Sequence, residues 1–408
     1  MTRLTTRTLS SLPAVVRRPA YDRSHLSPGI VHLGLGAFAR AHLCEYTEDT
    51  LELEAGSWGV TGASLQRPDQ RDRLAPQDGL YTLLKRAPAG PELRIIGCLR
   101  AVMVAPEDPA ALVARMAAAE TRIVSLTVTE KGYCHDPATG RLRADHPDIV
   151  HDLANPQSPR SAVGLIVAAL KARRAAGLGP FTALSCDNLP HNGGVLRGLV
   201  RDFAALSDDG LAQWIEANGA FPATMVDRIV PATTEADIAE VAGLIGLADA
   251  APVIGEPFRQ WAIQDVFAAG RPAWEKVGVT LTPHVHNFEM MKIRILNGGH
   301  ATIAYPGGLM DIEYVHEAMA NPLIMGLLDK VEMNEIVPYI PPVPDTNLGD
   351  YYRLIVERFS NPEVADTERR LCLDGSNRQP KFIVPSIRDA LAAGGSVEGL
   401  ALVSAMWC

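Results

Sequence analysis

Short apolar runs alternate with stretches of helical period through the first half of the chain. A strand is predicted from Gly29 to Gly34, then a glycine-rich turn and a helix from about residue 37. Further strands are predicted at 58–65, 93–99, 121–129 and 181–188, with helices at 108–119, 161–177 and 193–206. Gly177 supplies the stop of the second of these helices. Buried strands alternating with helices imply an α/β domain around a mostly parallel sheet.

The pattern changes beyond residue 224. A helix is predicted at 235–246, and the stretches 256–263 and 271–282 bridge to a new regime. Helical periodicity then covers 287–303, 311–336, 346–359, 379–392 and 397 to the end, with the proline-rich 337–346 as a rigid loop. A second, helix-rich domain follows from this. The 408 residues agree, because that length exceeds the usual size of one hydrophobic core.

Composition narrows the function classes. The chain is 47% hydrophobic and 21% charged, as soluble globular proteins are. A net charge of -9 gives no reason to expect nucleic acid or an acidic membrane as partner. The six cysteines show no short metal-ligand spacing, and their count is low for a disulfide-dependent secreted scaffold, which argues for a reducing compartment. The N-terminus has arginines but no apolar signal core, and no apolar run reaches membrane-spanning length. A soluble, cytoplasmic protein is expected.

Candidate chemistry begins at Gly34-Leu35-Gly36-Ala37-Phe38. Two close glycines let a backbone turn tightly against a pyrophosphate, and a following helix N-terminus favours anions. An ordinary strand-to-helix turn has the same spelling. After the second strand, Gln66 or Asp69 is placed to hydrogen-bond a ribose, whereas Arg67 suits a 2′-phosphate. NAD and NADP both stay open on this reading. Thr129 and Glu130 follow one predicted strand and Asn188 another. Ligands of open α/β sheets bind at such strand ends, although Asp and Asn are also common turn residues.

The stretch MKIRILNGGH (291–300) puts Lys292, Asn297 and His300 into an apolar helical pattern. On an ideal α-helix Asn297 and His300 lie about 60° apart, with Lys292 roughly 140° from Asn297 and roughly 80° from His300. A lysine among apolar neighbours loses hydration, so its pKa falls and it acts as a base. An amide donates to an oxygen becoming an alkoxide. A histidine holds a hydroxyl through either ring nitrogen. The bland alternative is a snorkelling lysine, a capping asparagine and a satisfied core histidine.

These residues carry a resemblance. K292-x4-N297-x2-H300 resembles the catalytic signature of the long-chain polyol dehydrogenases, a family that includes mannitol 2-dehydrogenases, fructuronate reductases and arabinitol dehydrogenases. IVHLGLGAFARAH (30–42), QDGLYTL (77–83), TVTEKGYC (127–134), SCDN (185–188), TMVDRIVP (224–231), EPFRQW (256–261), RFSNP (358–362) and DGSNRQPKF (374–382) are similar to it as well. The resemblance implies a Rossmann-like, doubly wound domain over 1–285 and a mostly helical substrate domain over 286–408. It implies metal-independent hydride transfer between NAD and a small polyol or ketose. Gly34, Gly36 and Phe38 would line the pyrophosphate, with the 129–132 loop nearby. Lys292 would be the general base, Asn188 and Asn297 the oxyanion donors, and Glu289 a proton relay. His300, Asp227, Arg370 and Arg378 would bind the other hydroxyls.

Some positions depart from the family pattern. Ala39 stands where histidine is usual, Gly299 where serine is frequent, and Arg378 where some members use lysine. The acidic residue that supports NAD preference is not evident at Gln66. The apolar helical pattern stops at Cys408 where relatives continue, so the second domain is expected to lack the family's last helical segment and to be less stable. KIRILNGGH, DGSNRQPKF and the last residues resemble mannitol 2-dehydrogenases most, which implies mannitol and fructose as the substrate pair. Fructuronate reduction, arabinitol oxidation and a non-catalytic sugar- or nucleotide-binding homologue are the alternatives. A monomer or weak homo-oligomer is expected.

Overall fold

A computed structural model describes residues 1–54, 56–136 and 138–408. It divides into two compact units, Met1–Pro283 and His284–Cys408.

The described residues of the first unit form eleven strands: β1 (Pro28–Leu33), β2 (Gly59–Ser64), β3 (Tyr81–Ala87), β4 (Gly90–Ile96), β5 (Leu99–Val104), β6 (Ile123–Leu126), β7 (Thr182–Ser185), β8 (Thr224–Asp227), β9 (Val253–Gly255), β10 (Gln260–Ile263) and β11 (Thr280–Leu281). Five build an all-parallel sheet in the order β5-β2-β1-β6-β7. Both of its faces are covered, so its strands are apolar on both sides. Val31, Leu33, Val124 and Leu126 pack against helices Pro109–Ala117, Ala162–Ala175 and Asn192–Ala205. Ile30, Val60, Ile123 and Leu184 share the opposite core with Tyr46, Trp261 and Trp274.

The chain leaves β1 to build β2 and β5 on one side, then returns to build β6 and β7 on the other. The switch point therefore lies between β1 and β6, at whose carboxyl ends open α/β sheets bind ligands. Local signals set the helices. Ser161 caps helix Ala162–Ala175 by accepting from the Gly164 N–H, and its hydroxyl donates to Asp152. Thr234 and Asp237 form a capping box on Glu235–Ile245, which ends at Gly246 with φ 72°.

Two smaller sheets escaped the periodicity. The strand expected at 93–99 is two strands: β4 pairs antiparallel with β3, and β5 edges the main sheet. The bridging stretch 256–263 contains β10, which pairs with β8 and β11. The strand expected to 129 ends at Leu126, which leaves 127–129 as loop.

The second unit is helical. The expected 311–336 helix is broken into Val315–Ala320 and Pro322–Val331, then a π turn at Glu332–Ile336. Two more π turns, Lys292–Asn297 and Gln379–Ile383, lie among the described residues and touch each other. No helix of the described residues is long and apolar enough to cross a membrane.

Candidate functional site

The first unit places the glycine turn at the switch point. Gly34 follows β1 with φ 85°, and a Cβ there would meet the Thr127 carbonyl oxygen at 2.4 Å. Only glycine fits. Gly36 opens the short helix Ala37–Ala41, and a Cβ there would meet nothing closer than the Gly34 oxygen at 3.8 Å. The backbone is thus bare on the side where a phosphate would approach, which fits a dinucleotide. Phe38 is half-buried and stacks on His42 with ring centroids 5.0 Å apart.

A polar chain inside the sheet fixes that turn. His32 bonds Ser125 Oγ and Thr127 Oγ1, each at 2.9 Å, and the Thr127 hydroxyl donates to the Gly34 carbonyl at 3.0 Å. Burial pushes the His32 imidazole down to about 4, against the opposing pull of the Gly34 backbone. It is neutral at working pH. Gln66 and Asp69 are exposed beyond the end of β2, beside β1.

Thr129 and Glu130 follow β6, and Asn188 follows β7, which pairs with β6. Asp187, immediately before Asn188, accepts from the Val128 and Thr129 N–H groups at 3.0 and 2.9 Å. Asp227 is buried at the end of β8. Beside it, Arg228 pairs with Glu45, which Arg259 and Lys85 also face. Burial opposes the Glu45 charge, yet these three cations hold its carboxyl at about 2.

In the second unit, Glu289, Lys292, Asn297 and His300 share one continuous helical run. The run is not a plain α-helix. The Gly298 N–H donates to the Ile293 carbonyl, five residues back. A π turn holds more residues than an α turn, so residues five apart come close to one face. Lys292 and Asn297 therefore share a face, in place of the wide separation an α-helix gives. Lys292 is 5% exposed, and the Glu289 carboxylate accepts from the His286 Nδ1 at 3.2 Å. Arg294 anchors the turn through Ser386 at 3.0 Å and Asp389 at 2.8 Å.

His300 stacks on Phe359 with ring centroids 4.1 Å apart. Its Nε2 is buried and has no hydrogen-bond partner. Burial, then the charges of Arg370, Arg358, Arg378 and Lys292, hold the imidazole well below its ordinary value. A neutral ring with a vacant nitrogen suits a sugar hydroxyl. Arg370 is gripped by Asp366, and Arg378 donates to the Leu371 carbonyl at 2.6 Å.

Two family models match the chain: the mannitol dehydrogenase Rossmann domain over residues 28–276 and the mannitol dehydrogenase C-terminal domain over 284–408. The chain belongs to the mannitol dehydrogenase family. It is 58% identical over 396 residues to a mannitol 2-dehydrogenase of Cereibacter sphaeroides, covering 96% of this chain and 83% of that one. It is 44% identical to a Pseudomonas fluorescens mannitol 2-dehydrogenase solved as a ternary complex with NAD and D-mannitol. That match covers 100% of this chain and 83% of the other, with a TM-score of 0.93. A D-sorbitol dehydrogenase solved in substrate-free form matches at 36% identity and a TM-score of 0.93, covering 99% of this chain and 84% of that one.

His32 and Phe359 make contacts that chain spacing does not reveal, and Arg358 adds charge near His300. Glu332 is fully buried with neither oxygen hydrogen-bonded, and burial raises its carboxyl well above the usual range. Cys134, His146 and Asp148 also bring ligand atoms within 4.8 Å of one another, which the linear cysteine spacing did not suggest. The His146 Nδ1 there already accepts from the Asp148 N–H at 3.2 Å.

Proposed function

We propose that the chain is an NAD-dependent polyol dehydrogenase that interconverts D-mannitol and D-fructose. The observation that carries this reading is the single helical run bearing Lys292 and Asn297 on one π face and the vacant, neutral His300 Nε2 just beyond it. The high identity to mannitol 2-dehydrogenases supports the substrate.

Bound NAD supplies the hydride acceptor. Gly34, Gly36, Phe38, Thr129 and Glu130 are assigned to the cofactor, with Gln66 and Asp69 toward its ribose. Lys292, in its neutral form, takes the proton of the reacting hydroxyl, and returns it when the ketone is reduced. Asn297 and Asn188 are the donors to the developing oxyanion. His300, Asp227, Arg370 and Arg378 hold the remaining hydroxyls. Glu289, one turn before Lys292, passes its proton toward water. No assigned step calls on a metal. On the same family grounds, the cofactor residues belong to a domain over 1–285 and the helical substrate residues to 286–408. A cytoplasmic protein acting as a monomer or weak oligomer is part of the same reading.

Fructuronate in place of fructose would call for an arginine free to meet a carboxylate. Asp366 already occupies the Arg370 guanidinium, so of the two assigned arginines Arg378 is the one left to meet it, and the substrate panel decides. The test is a panel of mannitol, arabinitol, sorbitol and fructuronate, each with NAD or NADP, followed by reduced-nicotinamide absorbance. Mannitol with NAD is expected to turn over fastest. A preference for fructuronate, or no turnover with any of them, overturns the reading.

A further inference from the structure

Thr129 holds a backbone that a β-branched residue rarely adopts, with φ 62° and ψ 165°. Such a conformation is strained and persists only where its surroundings impose it. The imposing group is Asp187. Its Oδ1 accepts from the Thr129 N–H at 2.9 Å. Its Oδ2 accepts from the Val128 N–H at 3.0 Å and from the Tyr133 hydroxyl at 2.8 Å. Tyr133 is itself fixed, with its oxygen 2.6 Å from Ser185 Oγ at the end of β7. One carboxylate thus ties both ends of the 128–133 segment to the strand end that carries Asn188.

We propose that Asp187 is a positioning residue that sets the cofactor-side loop 128–133 and Asn188 together. This rests on the functional reading above, in which Thr129 and Glu130 border the cofactor and Asn188 donates to the oxyanion. The chemistry requires a carboxylate. Three donors converge on two oxygens, and an ionised carboxylate is acceptor at both. An asparagine would turn its own NH2 toward a backbone N–H. A glutamate would push the acceptors outward by a methylene. Burial raises the Asp187 carboxyl, and the three donors oppose that rise. The neighbouring backbone is fixed as well: the Asp187 carbonyl accepts from Leu189 N–H and Asn192 Nδ2.

The test compares the full chain with Asp187→Asn by hydrogen exchange of the cofactor-free protein and by NAD titration. Loss of a charge-assisted pair predicts about a tenfold rise in exchange at 128–133 and about a tenfold weaker NAD affinity, with β1 and β6 protected as before. Thr129→Gly placed in the Asp187→Asn background removes the strain, so it is expected to recover part of the lost affinity. A merely structural role would instead raise exchange throughout the unit and gain nothing from Thr129→Gly. Tyr133→Phe removes one donor only and should give a smaller change in the same direction, even where Asp187→Asn does not fold. Parental exchange at 128–133 and parental NAD affinity in these variants overturn the proposal. A parent that binds no NAD overturns the functional reading, while the exchange arm still decides the role of Asp187 in the loop.

Discussion

Lys292 and Asn297 are the first and last residues of one π-helical turn, and the turn places them on a common face. An α-helix would hold them far apart in projection. The extra residue in the turn is therefore part of the assigned chemistry, in keeping with the frequent use of π turns at functional sites. Asn297→Ala should lower kcat by about 100-fold or more, the usual cost of an oxyanion donor. Steady-state kinetics with saturating NAD measures this. An unchanged kcat would remove Asn297 from the mechanism.

His300 should stay neutral wherever the enzyme works. Its imidazole is held well below 6.5 by burial and by Arg370, Arg358, Arg378 and Lys292. The polyol KM is expected to show no histidine inflection between about pH 5 and 8. His300→Ala should raise that KM about 3- to 10-fold through one lost hydrogen bond, with NAD affinity intact. An inflection near pH 6.5 that disappears in His300→Ala would show a charged histidine instead. Stability follows the same sign: below the unfolded value only the unfolded chain takes up the proton, so this group destabilises the fold as pH falls.

Glu332 works in the opposite direction. Its folded pKa lies well above 4.5 because of burial, so only the unfolded chain ionises as pH rises past that value. The fold loses stability over that window until the folded carboxyl ionises. Glu332→Met removes a buried, unpartnered polar group and should stabilise the chain by about 1–3 kcal/mol at neutral to alkaline pH. Denaturant unfolding at two pH values checks it. A variant less stable than the parent at high pH would mean that Glu332 has a partner in solution.

The Glu45 cluster sets the acid limit. With a folded pKa of about 2 against an ordinary 4.5, Glu45 contributes stability that is complete above 4.5 and is lost as pH falls toward 2. Arg228→Met strips one cation from a buried carboxylate and should cost about 3 kcal/mol or more. Its acid unfolding midpoint should move upward. An unmoved midpoint would mean that Arg259 and Lys85 suffice alone.

Much of this was legible in the sequence. The parallel sheet was, because buried strands and helices differ in period, and so were Gly34 and the polar trio in the apolar helix. Strands β3, β9 and β10 were not, since their pairing is set by partners far along the chain. The π turn was not either. Helical periodicity assumes one pitch, and no residue type announces an extra residue per turn. In the sequence Asp187 reads as a strand-end polar group or a turn residue beside Asn188, with no partner named for it. Its role lies in a loop about 60 residues upstream, which no local pattern connects to it.

The most direct measurement is the rate of D-mannitol oxidation with NAD by the full chain and by Lys292→Ala across pH, with NAD binding followed in parallel. The parent is expected to yield fructose, and Lys292→Ala to lose about 100- to 10,000-fold in turnover while binding NAD as the parent does. A Lys292→Ala variant that oxidises mannitol at the parental rate across pH would contradict the account.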